Sequence, residues 1–343
     1  MTFELSDDGR VLRIYLDQNK WVDLARAATG HRLGAPFADA LAMARAGVAA
    51  GTVSFPLDMY RYWETGKRGD DRSRNDVADV MLELSRQHTM TVPFGILDQE
   101  LDLALQRRLG RPEHPRRQAV FGVGMQHITQ SRMKWPELDL AALPDSGAGL
   151  PRGLRAQLKN AVAEVIEEEL LRAGPETFRA HGFDHADSDH SQRFVDFENH
   201  LAAEIAKHGL TGDAIDEVVR GTDFGDIRPA IVEALDRIGV VYEEFMQDIT
   251  VGQLLSFVDD LPTRYVTNVM RSAKHRQTQQ EWEPNDFIDI VALPVAAVYC
   301  DVVVTEKQWV HMMRQSKVDQ RYNTILISNV ADLVNVLVKA SLM

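Results

Sequence analysis

Cysteine is almost missing from these 343 residues, with Cys300 the only one. That count excludes a disulfide framework and a cysteine-based zinc site. Cations are in deficit too: 38 Lys and Arg stand against 51 Asp and Glu, a net charge of −13. Such a balance argues against a general polyanion-binding surface, although a local basic groove remains open. Long apolar runs are also lacking. The longest, IVALPVAAVYC from Ile290 to Cys300, is too short to span a bilayer and contains Pro294. The opening MTFELSDDGR is acidic and has no apolar core, so it does not read as a signal peptide. A cytoplasmic protein with no membrane partner is the expectation. No Walker sequence, HExxH or internal repeat is found, and FGVGMQH lacks the third glycine of a dinucleotide fingerprint. What is present, 45% hydrophobic and 26% charged residues, suits a soluble globular protein.

Periodicity predicts a first strand at 11–17, where Leu12, Ile14 and Leu16 alternate with Arg13 and Tyr15, and a helix from Lys20. FADALAMARAGVAAG reads as a helix stopped by Gly51. TVSFPL (Thr52 to Leu57) is a buried-strand candidate, DMYRYWETGK opens a helix, RNDVADVMLELSRQ is amphipathic, and TMTVPF (Thr89 to Phe94) reads as a third strand. This is the grammar of a parallel α/β sheet. From Ile96 to Leu255 the patterns are helical, without a convincing strand. The α/β pattern then returns with a helix at 263–280, the segment EPNDFIDIVALPVAAVY, the strand DVVVTE, a helix from Gln308, the strand TILIS and the helix NVADLVNVLVKA. The expected organisation is one α/β domain built from 1–95 and 256–343, with an all-helical insertion at 96–255.

Asp17 ends the first strand, and in open α/β sheets ligands bind at the carboxyl ends of strands. A helix cap is the plainer explanation, although Asn19 could supply that cap. Three more acids hold comparable places. Glu64 lies in the helix after TVSFPL, Asp286 opens a helix after Pro284 with Asn285 available as its cap, and Glu306 follows Thr305 at the end of DVVVTE. In a parallel sheet all four emerge on one edge. Carboxylates on one rim repel unless cations are present, and hard oxygen ligands suit Mg²⁺ or Mn²⁺. A site of that kind activates water for attack on a phosphodiester. Taken singly, each acid also reads as a cap, a helix-opening acid or a solvated side chain. Asp289 shares the helix face of Asp286 and is a further ligand or a support for it. Asp301 begins the strand that Glu306 ends, so at ~3.3 Å per residue it should lie about 16 Å away, on the opposite rim.

With these residues the chain resembles a PIN-like domain, the ribonuclease fold of toxins in toxin–antitoxin pairs and of RNA-processing nucleases. The match is carried by Asp17-Gln18-Asn19, Glu64 in YWETGK, Asn285-Asp286 at a helix start and Thr305-Glu306 after a strand. In the family the last acid is usually an Asp two residues after the Thr, whereas here Glu306 is adjacent. The resemblance covers 10–95 and 260–343 and leaves the insertion unexplained. It implies a three-layer α/β/α fold with a parallel sheet. It also implies a metal-dependent endoribonuclease in which Asp17, Glu64, Asp286 and Glu306 hold Mg²⁺ or Mn²⁺, and Asn19 and Thr305 orient ligands or water. The expected substrate is single-stranded or loop RNA. A structure-specific DNA nuclease is one alternative, and a catalytically inactive RNA- or protein-binding module is another. A homodimer or an inhibitory protein partner fits these readings. A haloacid-dehalogenase-type phosphatase also begins with strand-Asp-x-Asp, but Asn19 stands where its general acid would be.

Basic residues cluster near two of the acids. Lys67, Arg68, Arg72 and Arg74 follow Glu64, while Arg271, Lys274 and Arg276 precede Asp286. Solvated faces explain each cluster, and phosphate contacts are the functional alternative. A third cluster is formed by Arg107, Arg108, Arg111, Arg116 and Arg117. His181, His185 and His190, interleaved with Asp184, Asp187 and Asp189, read as a polar loop more readily than as a metal site.

Overall fold

The computed structural model describes residues 11–112, 119–129, 152–180, 189–247, 249–277, 279 and 281–341. The strands are β1 (Leu12–Leu16), β2 (Val53–Ser54), β3 (His88–Met90), β4 (Phe121–Val123), β5 (Val302–Val304) and β6 (Ile325–Ile327). Four of them form a small parallel sheet in the order β2-β1-β5-β6. Strands β5 and β6 pair in parallel from Val302–Ile325 to Val304–Ile327. A mixed α/β chain with a parallel sheet is what the sequence predicts, but helices dominate it.

Two strand assignments differ from expectation. The expected third strand, β3, is not in the parallel sheet. It pairs antiparallel with β4 and makes one isolated parallel bridge, Thr89 to Leu57. Strand β4 falls inside 96–255, where the pattern predicts helices alone; three residues are too few to display a period of two. The turn after β4 needs Gly124, whose φ is +77°. A β-carbon there would lie 2.7 Å from Glu167 Oε1, a buried oxygen that already accepts the Met125 backbone N–H. Gly124→Ala is therefore expected to destabilise the protein by about 1–2 kcal/mol from backbone strain alone, read as a lower urea midpoint.

The first part of the chain contributes α1 (Gln18–Ala28), α2 (Ala38–Ala50), α3 (Met59–Gly66), α4 (Asp71–Ser85) and α5 (Pro93–Arg108). The middle adds α6 (Gly124–Thr129), α7 (Arg152–Arg172), α8 (Pro175–Ala180), α9 (Asp189–Lys207), α10 (Asp213–Arg237), α11 (Tyr242–Gln247) and α12 (Val251–Asp259). The last part holds α13 (Pro262–His275), α14 (Pro284–Tyr299), α15 (Lys307–Gln315), α16 (Val318–Tyr322) and α17 (Leu333–Ser341). Gly51 ends α2 as expected, in the left-handed region at φ 71°.

Packing divides the described residues into two compact units. The Asp17 unit draws on Leu16–Thr91, Phe121–Ala186 and Asn329–Met343, and the Asp286 unit on Met1–Tyr15, Val92–Val120 and Asp187–Ser328. In the Asp17 unit α1 lies against α2 and α4, with Trp21, Leu24, Phe55, Tyr62, Met81 and Leu84 buried. Trp21 and Phe55 meet edge to face at 6.2 Å. In the Asp286 unit α5, α10 and α12 close around Leu101, Leu105, Ile231, Leu235, Phe257 and Val258. Each such buried side chain contributes about 1.5–3 kcal/mol of transfer free energy. Helix α13, which follows the predicted insertion, packs on α10 from within it, and α14 packs on α9.

Candidate functional site

Asp17 follows β1 and is itself the N-cap of α1, its Oδ1 accepting the Gln18 N–H at 2.7 Å. The cap is therefore Asp17 rather than Asn19. Capping uses only part of this buried carboxylate, because Arg61 Nη1 also donates to Oδ1 at 2.6 Å. Arg61 comes from α3, where Asp58, Arg61 and Glu64 recur every third residue and share one helix face. Asp58 caps α3 through the Arg61 N–H at 3.0 Å and also lies 3.6 Å from Arg61 Nε. Glu64 Oε2 is 2.7 Å from Arg61 Nη2. Three carboxylates thus surround a single guanidinium whose side chain is 1% exposed.

Two contacts hold α3 in place. Tyr62 donates to Glu167 of α7 at 3.0 Å, and Gln18 Nε2 donates to Thr65 at 3.0 Å. Burial raises the Glu64 carboxyl above its ordinary range; Arg61 opposes that rise, and the charges of Asp17 and Asp58 add to it. Gln18 Oε1 and Glu64 Oε2 are buried oxygens that receive no hydrogen bond, the contact of Glu64 with Arg61 being electrostatic rather than aligned.

The other proposed ligands belong to the Asp286 unit and have partners of their own. The cap of α14 is Glu283, not Asn285; Pro284 opens the helix, and Asp286 Oδ2 reaches back to accept the Glu283 N–H at 2.6 Å. The same oxygen accepts a hydrogen bond from Lys274, so the pair is buried and charge-assisted. Asp289 does not share that partner and accepts the Trp309 indole N–H at 2.7 Å. Thr305 is buried at the end of β5, its N–H bonded to the Ile327 carbonyl. Glu306 is exposed and precedes α15 as its N-cap residue, without a side-chain cap bond. Asp301 stands at the start of β5, accepting the Arg13 N–H at 2.9 Å and so pairing near the beginning of β1. Asn19 lies half-buried in the first turn of α1.

The basic residues divide by burial. Lys67 and Arg72 are exposed. Arg68 binds Ser73 Oγ at 2.7 Å. Arg74 is buried and clamps the end of α7, donating to the Arg172 carbonyl at 2.8 Å and to the Arg68 carbonyl at 2.7 Å. A β-carbon at Gly174 would touch that guanidinium at 2.9 Å. Lys274 is buried against Asp286, and Arg276 pairs with Asp216. Arg74 and Lys274 are therefore held by interior partners, away from a phosphate-binding surface. Arg116, Arg117, His181, Asp184, His185 and Asp187 lie outside the described residues, while His190 is exposed in α9.

Sequence reasoning missed a buried polar seam. Arg264, Asn268, Arg271 and His275 recur along α13 at steps of four, three and four. Asp223 of α10 accepts from Arg264 and from Asn268 Nδ2 at 2.9 Å. Glu198 of α9 accepts from Arg271 Nε at 2.6 Å and pairs with His275 Nε2 at 2.7 Å. Burial, followed by the like charge of Arg271, lowers Arg264 to about 10. The signal was present as helical spacing, but the acidic partners lie far off in sequence.

Among the described residues, no three His, Cys, Asp or Glu side chains are grouped so as to hold a metal ion. The Asp17 set suits Mg²⁺ or Mn²⁺ in chemistry: its donors are hard oxygens, and three carboxylates less one guanidinium leave two negative charges. Arg61, however, stands at the point where those carboxylates meet. No helix among the described residues is long and apolar enough to cross a membrane. Comparison with protein-family models, with curated proteins and with solved structures finds no match.

Proposed function

We propose that the protein is a PIN-like, metal-dependent endoribonuclease acting on single-stranded or loop RNA, with Asp17 and Glu64 as ligands of Mg²⁺ or Mn²⁺. The observation that carries this reading is a buried acid, Asp17, just past the end of a strand of a parallel sheet, facing a helix that supplies two more acids. Packing alone does not explain three carboxylates around one cation, because each buried charge is costly unless it is compensated. When bound, Mg²⁺ or Mn²⁺ supplies positive charge that offsets the charge developing during phosphodiester hydrolysis. The chain's own part is to hold and orient. The Gln18 N–H and Arg61 fix the Asp17 carboxylate, and Tyr62 fixes the helix bearing Glu64. The exposed Lys67 and Arg72 are available for backbone phosphates.

The resemblance also implies ligand roles for Asp286 and Glu306 and orienting roles for Asn19 and Thr305. Asp286→Asn is expected to lower manganese-dependent RNA cleavage by at least about a hundredfold, while Asp301→Asn, at a strand start, retains most of it. Fluorescent RNA oligonucleotides, with chelator and single-stranded DNA controls, measure both. A wild-type-like Asp286→Asn beside an inactive, folded Asp301→Asn would reverse the assignment. One observation favours a second reading, a non-catalytic RNA- or protein-binding module: Arg61 and Lys274 already neutralise Asp17 and Asp286. Absence of metal-dependent cleavage from every wild-type preparation, with RNA or protein binding retained, supports that module.

A further inference from the structure

The guanidinium of Arg61 touches two different carboxylates with two different nitrogens, Nη1 to Asp17 at 2.6 Å and Nη2 to Glu64 at 2.7 Å. Those are the two acids a divalent ion would use. Asp58 fixes Arg61 from the third side, holding both its backbone N–H and the root of its guanidinium. The arginine has no route to this position by accident of solvent, since its side chain is 1% exposed. A planar, permanently charged fork is also the side chain best able to bridge two carboxylates at once.

We propose that Arg61 is the resident cation of this site, a latch built into α3 that must withdraw from Asp17 and Glu64 before a divalent ion enters. The inference rests on the nuclease reading only in taking Asp17 and Glu64 as metal ligands. The acids cannot be left bare: Asp17, Asp58 and Glu64 are like charges gathered around one buried guanidinium, and one cation or another has to stand among them. With Arg61 in place, Asp17 Oδ1 accepts two hydrogen bonds, from Arg61 and from the Gln18 N–H, so a metal ion competes directly with the guanidinium for that oxygen. Competition of this kind scales the apparent metal affinity by the fraction of molecules in which Arg61 has withdrawn. Whatever draws Arg61 away, an RNA phosphate being the chemically matched anion, raises metal affinity in proportion to the increase in that fraction.

Manganese binding by the full chain, followed by electron paramagnetic resonance and without any nuclease assay, tests this in the wild type, Arg61→Lys and Arg61→Gln. The wild type is expected to bind Mn²⁺ most weakly. Arg61→Lys, which keeps one charge but loses the fork, should bind more tightly, and Arg61→Gln at least about tenfold more tightly than the wild type. Adding Asp17→Asn to Arg61→Gln should remove the gain. If Arg61→Gln folds only when Mn²⁺ is added, that too supports the latch, and Arg61→Lys then carries the affinity comparison. Equal affinity in the wild type and the folded variants overturns the proposal, as does a gain that survives Asp17→Asn. Tighter Mn²⁺ binding by variants that never cleave RNA keeps the latch and removes the nuclease reading. Cleavage by a wild type that binds Mn²⁺ as tightly as the variants does the reverse.

Discussion

Replacing Glu198 with alanine is expected to destabilise the protein by about 3–5 kcal/mol, the usual cost of leaving a buried charge without its partner. Glu198 is fully buried between α9 and α13, where it takes Arg271 at 2.6 Å and His275 at 2.7 Å. Without it, Arg271 keeps a 3.3 Å hydrogen bond to Thr222 and a 4.0 Å approach to Asp223. Neither replaces a charge-assisted hydrogen bond at 2.6 Å. Glu198→Gln keeps the volume and one acceptor and should cost clearly less. Urea unfolding of the two variants beside the wild type measures the difference. Equal losses would mean that packing, not charge, is what Glu198 supplies.

Stability should fall as pH rises between about 4.5 and 7, with Glu100 responsible for about 3 kcal/mol of that fall. Its carboxylate accepts the Thr263 N–H and hydroxyl at the start of α13 and the Tyr299 hydroxyl from α14. Those bonds, together with the helix N-terminus, favour the ionised form. Burial outweighs them and pushes the carboxyl from 4.5 up to about 7. Because the folded state then holds a proton that the unfolded chain has already released, the contribution is complete below pH 4.5 and is lost as pH rises through 7. Arg264, Tyr299 and Tyr322 are the charged or titratable groups coupled to this carboxyl, and the two tyrosines are themselves raised by burial. Glu100→Gln, which remains uncharged throughout, should remove this slope and match or exceed the wild type at pH 8. Parallel stability curves for the two proteins from pH 5 to pH 8 would exclude Glu100 as the source.

How much of this was legible in the sequence depended on whether the signal was local. The stop at Gly51, the strand ending before Asp17 and the helix opening at Pro284 are local events, and each occurs where the pattern predicts it. The spacing Asp58-Arg61-Glu64 is also readable, but spacing alone does not show that Arg61 turns inward to join Glu64 to Asp17 of another helix. The basic run Arg271-Lys274 reads as a solvated face or a phosphate contact because its partners, Glu198 and Asp286, are not implied by neighbouring residues. Amphipathic periodicity marks apolar faces; it gives no sign when a buried helix face is polar and satisfied by other helices. Strand β4 was missed for a different reason, since its three residues pair with β3 across a separation that no short pattern records.

The central claim, that Asp17 belongs to a metal-dependent nuclease site, is met most directly by RNA cleavage at saturating Mn²⁺ in the wild type and in Asp17→Asn. Asparagine keeps an acceptor for the Gln18 N–H, and Arg61 keeps Asp58 and Glu64, so the variant should fold and its circular dichroism should match the wild type. Chelator-sensitive cleavage by the wild type and a loss of at least about a hundredfold in the folded variant are expected. Undiminished, chelator-sensitive cleavage by folded Asp17→Asn would contradict the claim.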